Sequence, residues 1–264
     1  MYLGQKPPGL EPEIFAPGIV SIPDFMEYCG TFSPDGTEYY FYRFSEGTRG
    51  RLLCSKLADG KWTSPEQCSF TGKFPASEPH LTFDNKTLYF MWDRPLTQGE
   101  PGYGDEAKYY FVERTPDGWS EPKYAGQGMF LTSSRDGSIY TTDMSSRKNN
   151  WSTYLAKVTV GKAGQFTKYD RLNIKPYPGM QAHPCIAPDG SYILFDINGG
   201  SHLFISFKKT DGTWGEAIDL AKHGFNTLAG GATISPNGKY LFFSLNDDIW
   251  WVDIEAVESL KLKS

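Results

Sequence analysis

No run of residues in this chain is long and apolar enough to span a bilayer, and no charged-then-apolar leader opens it. Lysine and arginine never cluster, and the formal net charge is −5, which argues against nucleic acid and against an anionic membrane as partners. Cysteine is scarce. The four present, Cys29, Cys54, Cys68 and Cys185, lack metal-type spacing and read as scattered buried thiols that leave the redox compartment open. Glycine and proline are frequent but spread along the chain, so no flexible linker divides it. At 264 residues and 39% hydrophobic, the chain can bury one full core as a single domain over residues 1–264.

What is present is a repeat. Ser33-Pro34-Asp35-Gly36 precedes the apolar run Tyr39 to Phe41, and the pattern returns at Thr82 to Asn85, Ser134 to Gly137, Ala187 to Gly190 and Ser235 to Gly238. The turn residues Asp35, Asp84, Asp136, Asp189 and Asn237 recur about every 50 residues, a period of arrays and propellers. Each copy suits a tight turn between antiparallel strands: Pro presets the backbone, Asp bonds its own main chain, and Gly takes the positive φ. A second turn recurs at Asp59-Gly60, Asp117-Gly118, Gly164 and Asp211-Gly212, giving four strands per repeat.

The fifth repeat stops after its third strand, Asp248 to Val252, while Glu11 to Phe15 at the other end matches the fourth strand of other repeats. The reading is therefore an all-β, five-bladed β-propeller of four-stranded antiparallel blades, closed by an N-terminal strand in the last blade. The blades are expected near 27–70, 76–125, 128–172, 181–221 and 229–253. Ile254, Val257 and Leu260, three apart, predict a short C-terminal helix over 254–262.

These repeats resemble the WD-repeat-like propeller repeats of TolB-type bacterial proteins. Tyr2 to Gly9, Pro12 to Gly18 and Asp248 to Asp253 resemble small stand-alone members of that family, and the similarity covers nearly the whole chain. The resemblance implies the fold and a bacterial setting: periplasm or cell surface where an export signal has been removed, cytoplasm otherwise. It implies no single activity, since relatives include binding and scaffold domains, and similar propellers carry a metal-dependent lyase.

Propeller geometry sorts the candidate residues. The Ser-Pro-Asp-Gly turns lie on one face, the bottom. The loops between second and third strands, and the crossovers between blades, lie on the other. The top face holds the long polar loops Arg94 to Lys108 and Met144 to Ser152. Alternation by two stacks three rings along the channel: Thr31, His80, Thr132, Cys185 and Thr233; then Cys29, Glu78, Phe130, His183 and Gly231; and uppermost Glu27, Ala76, Gly128, Gln181 and Ala229.

A polar pocket at the upper channel mouth is the expected site. One reading is a divalent metal (Zn, Mn, Fe or Ca) held by Glu78, His80 and His183 with His202 or His223 as a fourth ligand, activating water for hydrolysis or acidifying a sugar proton for a lyase. A second is a metal-free hydrolase using carboxylates from separate blades. Glu78, His183, Glu27 and Asp93 are the catalytic candidates, with Asp143 and Asp196 also at strand ends. Gln181, Arg94, Trp92, Tyr103, Trp151 and Tyr177 are the ligand-binding ones. The expected substrate is a small polar molecule, a saccharide or an ester or phosphoester. The third reading is a non-catalytic propeller that binds carbohydrate or a protein partner. For any one of these residues the plain alternative is a turn cap, a core aromatic or a hydrated channel histidine.

Overall fold

A computed structural model describes residues 2–147, 152–175, 180–197 and 201–263. Its local unit is the repeated turn. Asp35 Oδ1 accepts the Thr37 N–H at 3.0 Å, and Asp84, Asp136, Asp189 and Asn237 accept the N–H two residues on in the same way, at 2.9–3.0 Å. Gly36, Asn85, Gly137, Gly190 and Gly238 take the left-handed φ that follows.

Strand β1 is Glu13–Ile14. Blade one runs outward through β2 (Met26–Phe32), β3 (Glu38–Phe44) and β4 (Arg51–Ala58), with an edge broken into β5 (Lys61–Trp62) and β6 (Glu66–Gln67). Blade two repeats this with β7 (Ala76–Leu81), β8 (Thr87–Trp92), β9 (Lys108–Thr115), β10 (Gly118–Trp119) and β11 (Lys123–Gln127). Blade three is β12 (Met129–Ser133), β13 (Ile139–Asp143), β14 (Tyr154–Val160) and β15 (Phe166–Arg171). Blade four is β16 (Gln181–Ile186), β17 (Tyr192–Ile197), β18 (Ser201–Phe207) and β19 (Ile218–Asp219). Blade five is β20 (Gly230–Ile234), β21 (Tyr240–Leu245) and β22 (Asp248–Asp253), completed by β1.

The chain is thus a five-bladed propeller of antiparallel sheets. Its closure is the expected one: β1 pairs with β22, Glu13 opposite Trp251 and Ile14 opposite Trp250. Phe15, fully buried, seals the seam with edge-on contacts to Phe32 and Tyr39 of blade one and to Phe242 and Trp251 of blade five. The core consists of five apolar clusters, each shared by two neighbouring blades, so every sheet is packed on both faces. The C-terminal segment is one α-helical turn, α1 (Glu255–Glu258), continued as 3-10 helix over Ser259–Lys263. Ile254, Val257 and Leu260 bury its apolar side on blades four and five. Among the described residues no helix is long and apolar enough to cross a membrane.

Candidate functional site

Every inner strand carries the same defect. Pairing with the second strand slips between Tyr28 and Gly30, Ser77 and His80, Met129 and Thr132, Ala182 and Cys185, and Gly230 and Thr233. Inside each slip one residue is left-handed: Cys29, Glu78, Phe130, His183 and Gly231, with φ of 44, 51, 54, 49 and 60°. This ring of five bulges turns the strands at one level of the channel. A bulge removes an N–H from the sheet ladder, and that donor needs another acceptor. Neighbouring blades supply it. Ser244 Oγ accepts from Cys29 N at 3.4 Å, Thr142 Oγ1 from His183 N at 3.0 Å, and Asp196 Oδ2 from Gly231 N at 2.8 Å. Ser244, Thr142 and Asp196 hold the same register position, opposite the residue before the bulge. In blade two that position is Met91, whose thioether is a poor acceptor. There Glu78 itself reaches across, and its Oε2 accepts from Phe130 N at 2.6 Å.

Two of these structural acceptors are ionisable, and this creates the site. Asp196 Oδ2 lies 2.9 Å from His183 Nδ1 as well as accepting from Gly231, while its Oδ1 is buried with no partner among the described residues. A carboxylate only accepts, so Nδ1 carries the proton and the lone pair of a neutral ring falls on Nε2. Nε2 has no hydrogen bond among the described residues. The Tyr28 hydroxyl stands 3.3 Å from Nδ1, its ring spans the mouth against Phe130 and His183, and Gly231 leaves it room. Glu78 Oε2 also accepts from Tyr109 Oη at 2.8 Å, and Tyr109 in turn accepts from Leu131 N.

Burial disfavours an imidazolium at His183, but the charge and hydrogen bond of Asp196 outweigh it and raise the pKa above 6.5, with Glu78 adding to the effect. Burial also raises the Glu78 carboxyl above its usual 4.5, against the opposing pull of His183, Phe130 N–H and Tyr109, with Asp196 adding to the rise. Tyr28 is pushed well up by burial and stays a phenol. The mouth therefore holds an imidazole oriented by a carboxylate together with a carboxyl whose pKa burial raises, the residue types that general acid and base work uses.

The bulges also correct the uppermost ring. Because each adds a residue, alternation reverses above it. Glu27, Ala76, Gly128, Gln181 and Ala229 are buried within the blades, and Tyr28 stands at the mouth instead. Glu27 pairs with Arg43 at 2.6 Å, and Arg43 ties down the carbonyls of Ile19 and Val20. The side chain of Gln181 turns toward Ile174 O at 3.4 Å.

His80 sits below the bulges, its Nε2 2.7 Å from Ser133 Oγ. With Thr31, Thr132, Cys185 and Thr233, and with Glu78 of the bulge ring, it lines a narrow cavity that reaches the bottom-face turns at Pro34, Pro188 and Pro236. His202 opens β18, the third strand of blade four, and its N–H bonds Thr227 O. Among the described residues no three His, Cys, Asp or Glu side chains are grouped as a metal would require. His80 Nε2 is engaged by Ser133 Oγ and His183 Nδ1 by Asp196 Oδ2.

Asp93 is exposed and paired with Arg49 at 2.8 Å. With Trp92, Glu106 and Lys108 it lines a separate top-face cleft between blades one and two. Arg94 lies over Trp92 and pairs with Glu100, and Tyr103 is exposed on the same loop. Asp143 is taken up by Arg171 at 2.7 Å. Trp151 and Tyr177 lie outside the described residues. Sequence reading passed over Tyr28 and Tyr109, and it did not join Asp196 to His183. Pro79 and Pro184, directly after two of the bulge residues, were the available signal, since proline inside an inner strand marks a bulge.

No family model matches the sequence, and no curated protein does. Solved structures do match. A protein described as a TolB from Agrobacterium tumefaciens is 18% identical with a TM-score of 0.54, over 88% of this chain and 78% of that one. A gluconolactonase from Xanthomonas campestris is 14% identical with a TM-score of 0.51, over 85% and 71%. A periplasmic gluconolactonase from Pseudomonas aeruginosa is 16% identical with a TM-score of 0.50, over 82% and 64%. The likeness is one of fold. It agrees with the TolB-type resemblance of the repeats, and propellers of this shape include hydrolases.

Proposed function

We propose that the upper channel mouth is a hydrolase site for a small ester or lactone. The carrying observation is the His183–Asp196 pair, with Nε2 unengaged among the described residues beside Glu78. His183 Nε2 takes a proton from water as its oxygen bonds the carbonyl carbon. The Tyr28 hydroxyl donates to the oxyanion, and the Glu78 carboxyl, whose hold on its proton burial strengthens, faces the same site. Collapse breaks the acyl C–O bond, and His183 returns its proton to the leaving oxygen. An ester yields acid and alcohol; a lactone yields one hydroxy acid. The gluconolactonases of similar shape support the lactone class, and the periplasmic one supports an exported setting.

The test is turnover of p-nitrophenyl acetate and δ-gluconolactone by wild type and His183→Gln. Glutamine keeps a donor for Asp196, so its melting temperature should stay within a few degrees while turnover falls at least about 100-fold. Unchanged turnover in that variant, or none in the wild type, would sink the reading and leave a binding propeller, to be screened with glycans by tryptophan quenching. The competing metal reading has its own check. Near-stoichiometric Zn or Mn that drops in both His80→Ala and His183→Ala would displace the metal-free mechanism.

A further inference from the structure

Three large hydrophobic side chains are exposed at one level of the top face: Phe25 at 42%, Met180 at 37% and Leu228 at 63%. Phe25 immediately precedes β2, Met180 immediately precedes β16, and Leu228 lies just before β20. The inner strands line the channel, so residues entering them from above stand on the rim of its mouth. The three come from blades one, four and five, which are consecutive because blade five packs against both others. Those blades supply most of the polar cluster, His183 and Asp196 from four, the Gly231 N–H from five and Tyr28 from one, while Glu78 comes from blade two.

The rim is held in place. Arg43 packs over the Phe25 ring at 5.6 Å, Asn226 Oδ1 accepts from Leu228 N at 2.8 Å, and Thr227 O accepts from His202 N. The entries to blades two and three differ. Phe74 packs on Trp92 and is half-buried, and Gln127 and Gly128 precede β12. On the blade-one-and-two side the cleft carries Arg49, Asp93, Glu106 and Lys108. The entries to blades one, five and four are thus apolar, and the cleft between blades one and two is charged.

We propose that the substrate is amphiphilic, a short- to medium-chain acyl ester or alkyl-substituted lactone, and that Phe25, Met180 and Leu228 set this specificity. This rests on the hydrolase reading of the same mouth. The carbonyl lies at His183 and the alkyl chain runs up over the three side chains, while the polar part faces the charged cleft. Of the saccharide and ester classes expected from the sequence, the rim favours the ester, because a bare saccharide would leave it uncovered.

The experiment separates this proposal from the reading it rests on. Straight-chain amides from butanamide to decanamide serve as non-turned-over probes, measured by calorimetry on the full chain. Affinity should rise about twofold to threefold per added methylene, and this slope should vanish in the Phe25→Ser/Met180→Ser/Leu228→Ser variant. All three positions are exposed, so the variant should keep its fold. If it does not, Leu228→Ser alone should reduce the slope. No chain-length dependence, or the same slope in the variants, overturns the proposal even if p-nitrophenyl acetate is hydrolysed. A slope that depends on the rim in a protein that hydrolyses nothing keeps the amphiphile and discards the hydrolase.

Discussion

Below the ring of bulges the five blades are close copies, and above it no two are alike. The lower level has threonine in three of five channel positions, and every bottom turn places its Asp or Asn oxygen on the same N–H. At the bulges the five residues are cysteine, glutamate, phenylalanine, histidine and glycine, and the acceptors that satisfy them differ as much. The backbone demand is common to all blades: a left-handed residue whose N–H needs a partner. A serine, a threonine or a carboxylate meets it equally well. Ionisable side chains can therefore enter the channel wall as structural acceptors and remain available for chemistry.

The largest expected effect contrasts the two histidines. His183→Gln should lower ester turnover by about two to four orders of magnitude, whereas His80→Gln, below the bulges, should change it less than about twofold. Equal losses in steady-state kinetics would erase the distinction between the levels.

Next comes a pair of glycines. Gly231→Ala combines a left-handed φ of 60° with a Cβ 2.7 Å from Tyr28 Cζ, while Gly36→Ala, at φ 71°, meets nothing within 4 Å. Strain alone should cost Gly36→Ala about 1 kcal/mol. Gly231→Ala should cost about 2–3 kcal/mol, because overpacking adds to the strain, and it should also displace Tyr28. Urea unfolding compares them, and equal costs would mean that the mouth is not tightly packed.

The smallest effects lie in pH dependence. Burial pushes His80 down to about 4 from 6.5, so its contribution is present above pH 6.5 and is lost as pH falls through 4. Burial pushes Glu27 up to about 7 from 4.5, against the pull of Arg43, so its contribution is present below pH 4.5 and is lost as pH rises through 7. The two oppose each other in one window. In urea titrations between those limits, His80→Gln should become less stable with rising pH relative to wild type, and Glu27→Gln the reverse. Parallel curves for all three proteins would contradict both assignments.

The same boundary marks how far the sequence could be read. The turns, the period, the closing strand and the lower channel ring follow from local chemistry that repeats and can be aligned with itself. The upper ring does not, because the inserted residue occurs in every blade at the same place. Five aligned copies therefore show no gap to betray it, and alternation counted through Cys29 or His183 puts Glu27 and Gln181 where Tyr28 belongs. Asp196 was visible as a carboxylate at a strand end. Its meeting with His183 depends on the slipped register between β16 and β17 and on the Gly231 N–H from the next blade, a contact across blades that no local pattern encodes.

The seam in blade five bears on how the chain is made. β1 is made before every other strand of the propeller, and its partner β22 is the last strand of the described residues. Throughout that interval Phe15 has no Trp251 or Phe242 to pack against, and the nascent protein is an unclosed arc with a sticky aromatic end. The ring therefore cannot close until β22 has been made. Once closed, the segments next to β1 and β22 lie side by side, with Asp253 N–H on Gly9 O at 2.9 Å, so a peptide could join them and new ends be opened at a top-face crossover between two blades. Such a permutant would write all five blades whole, and it should refold faster than the natural order.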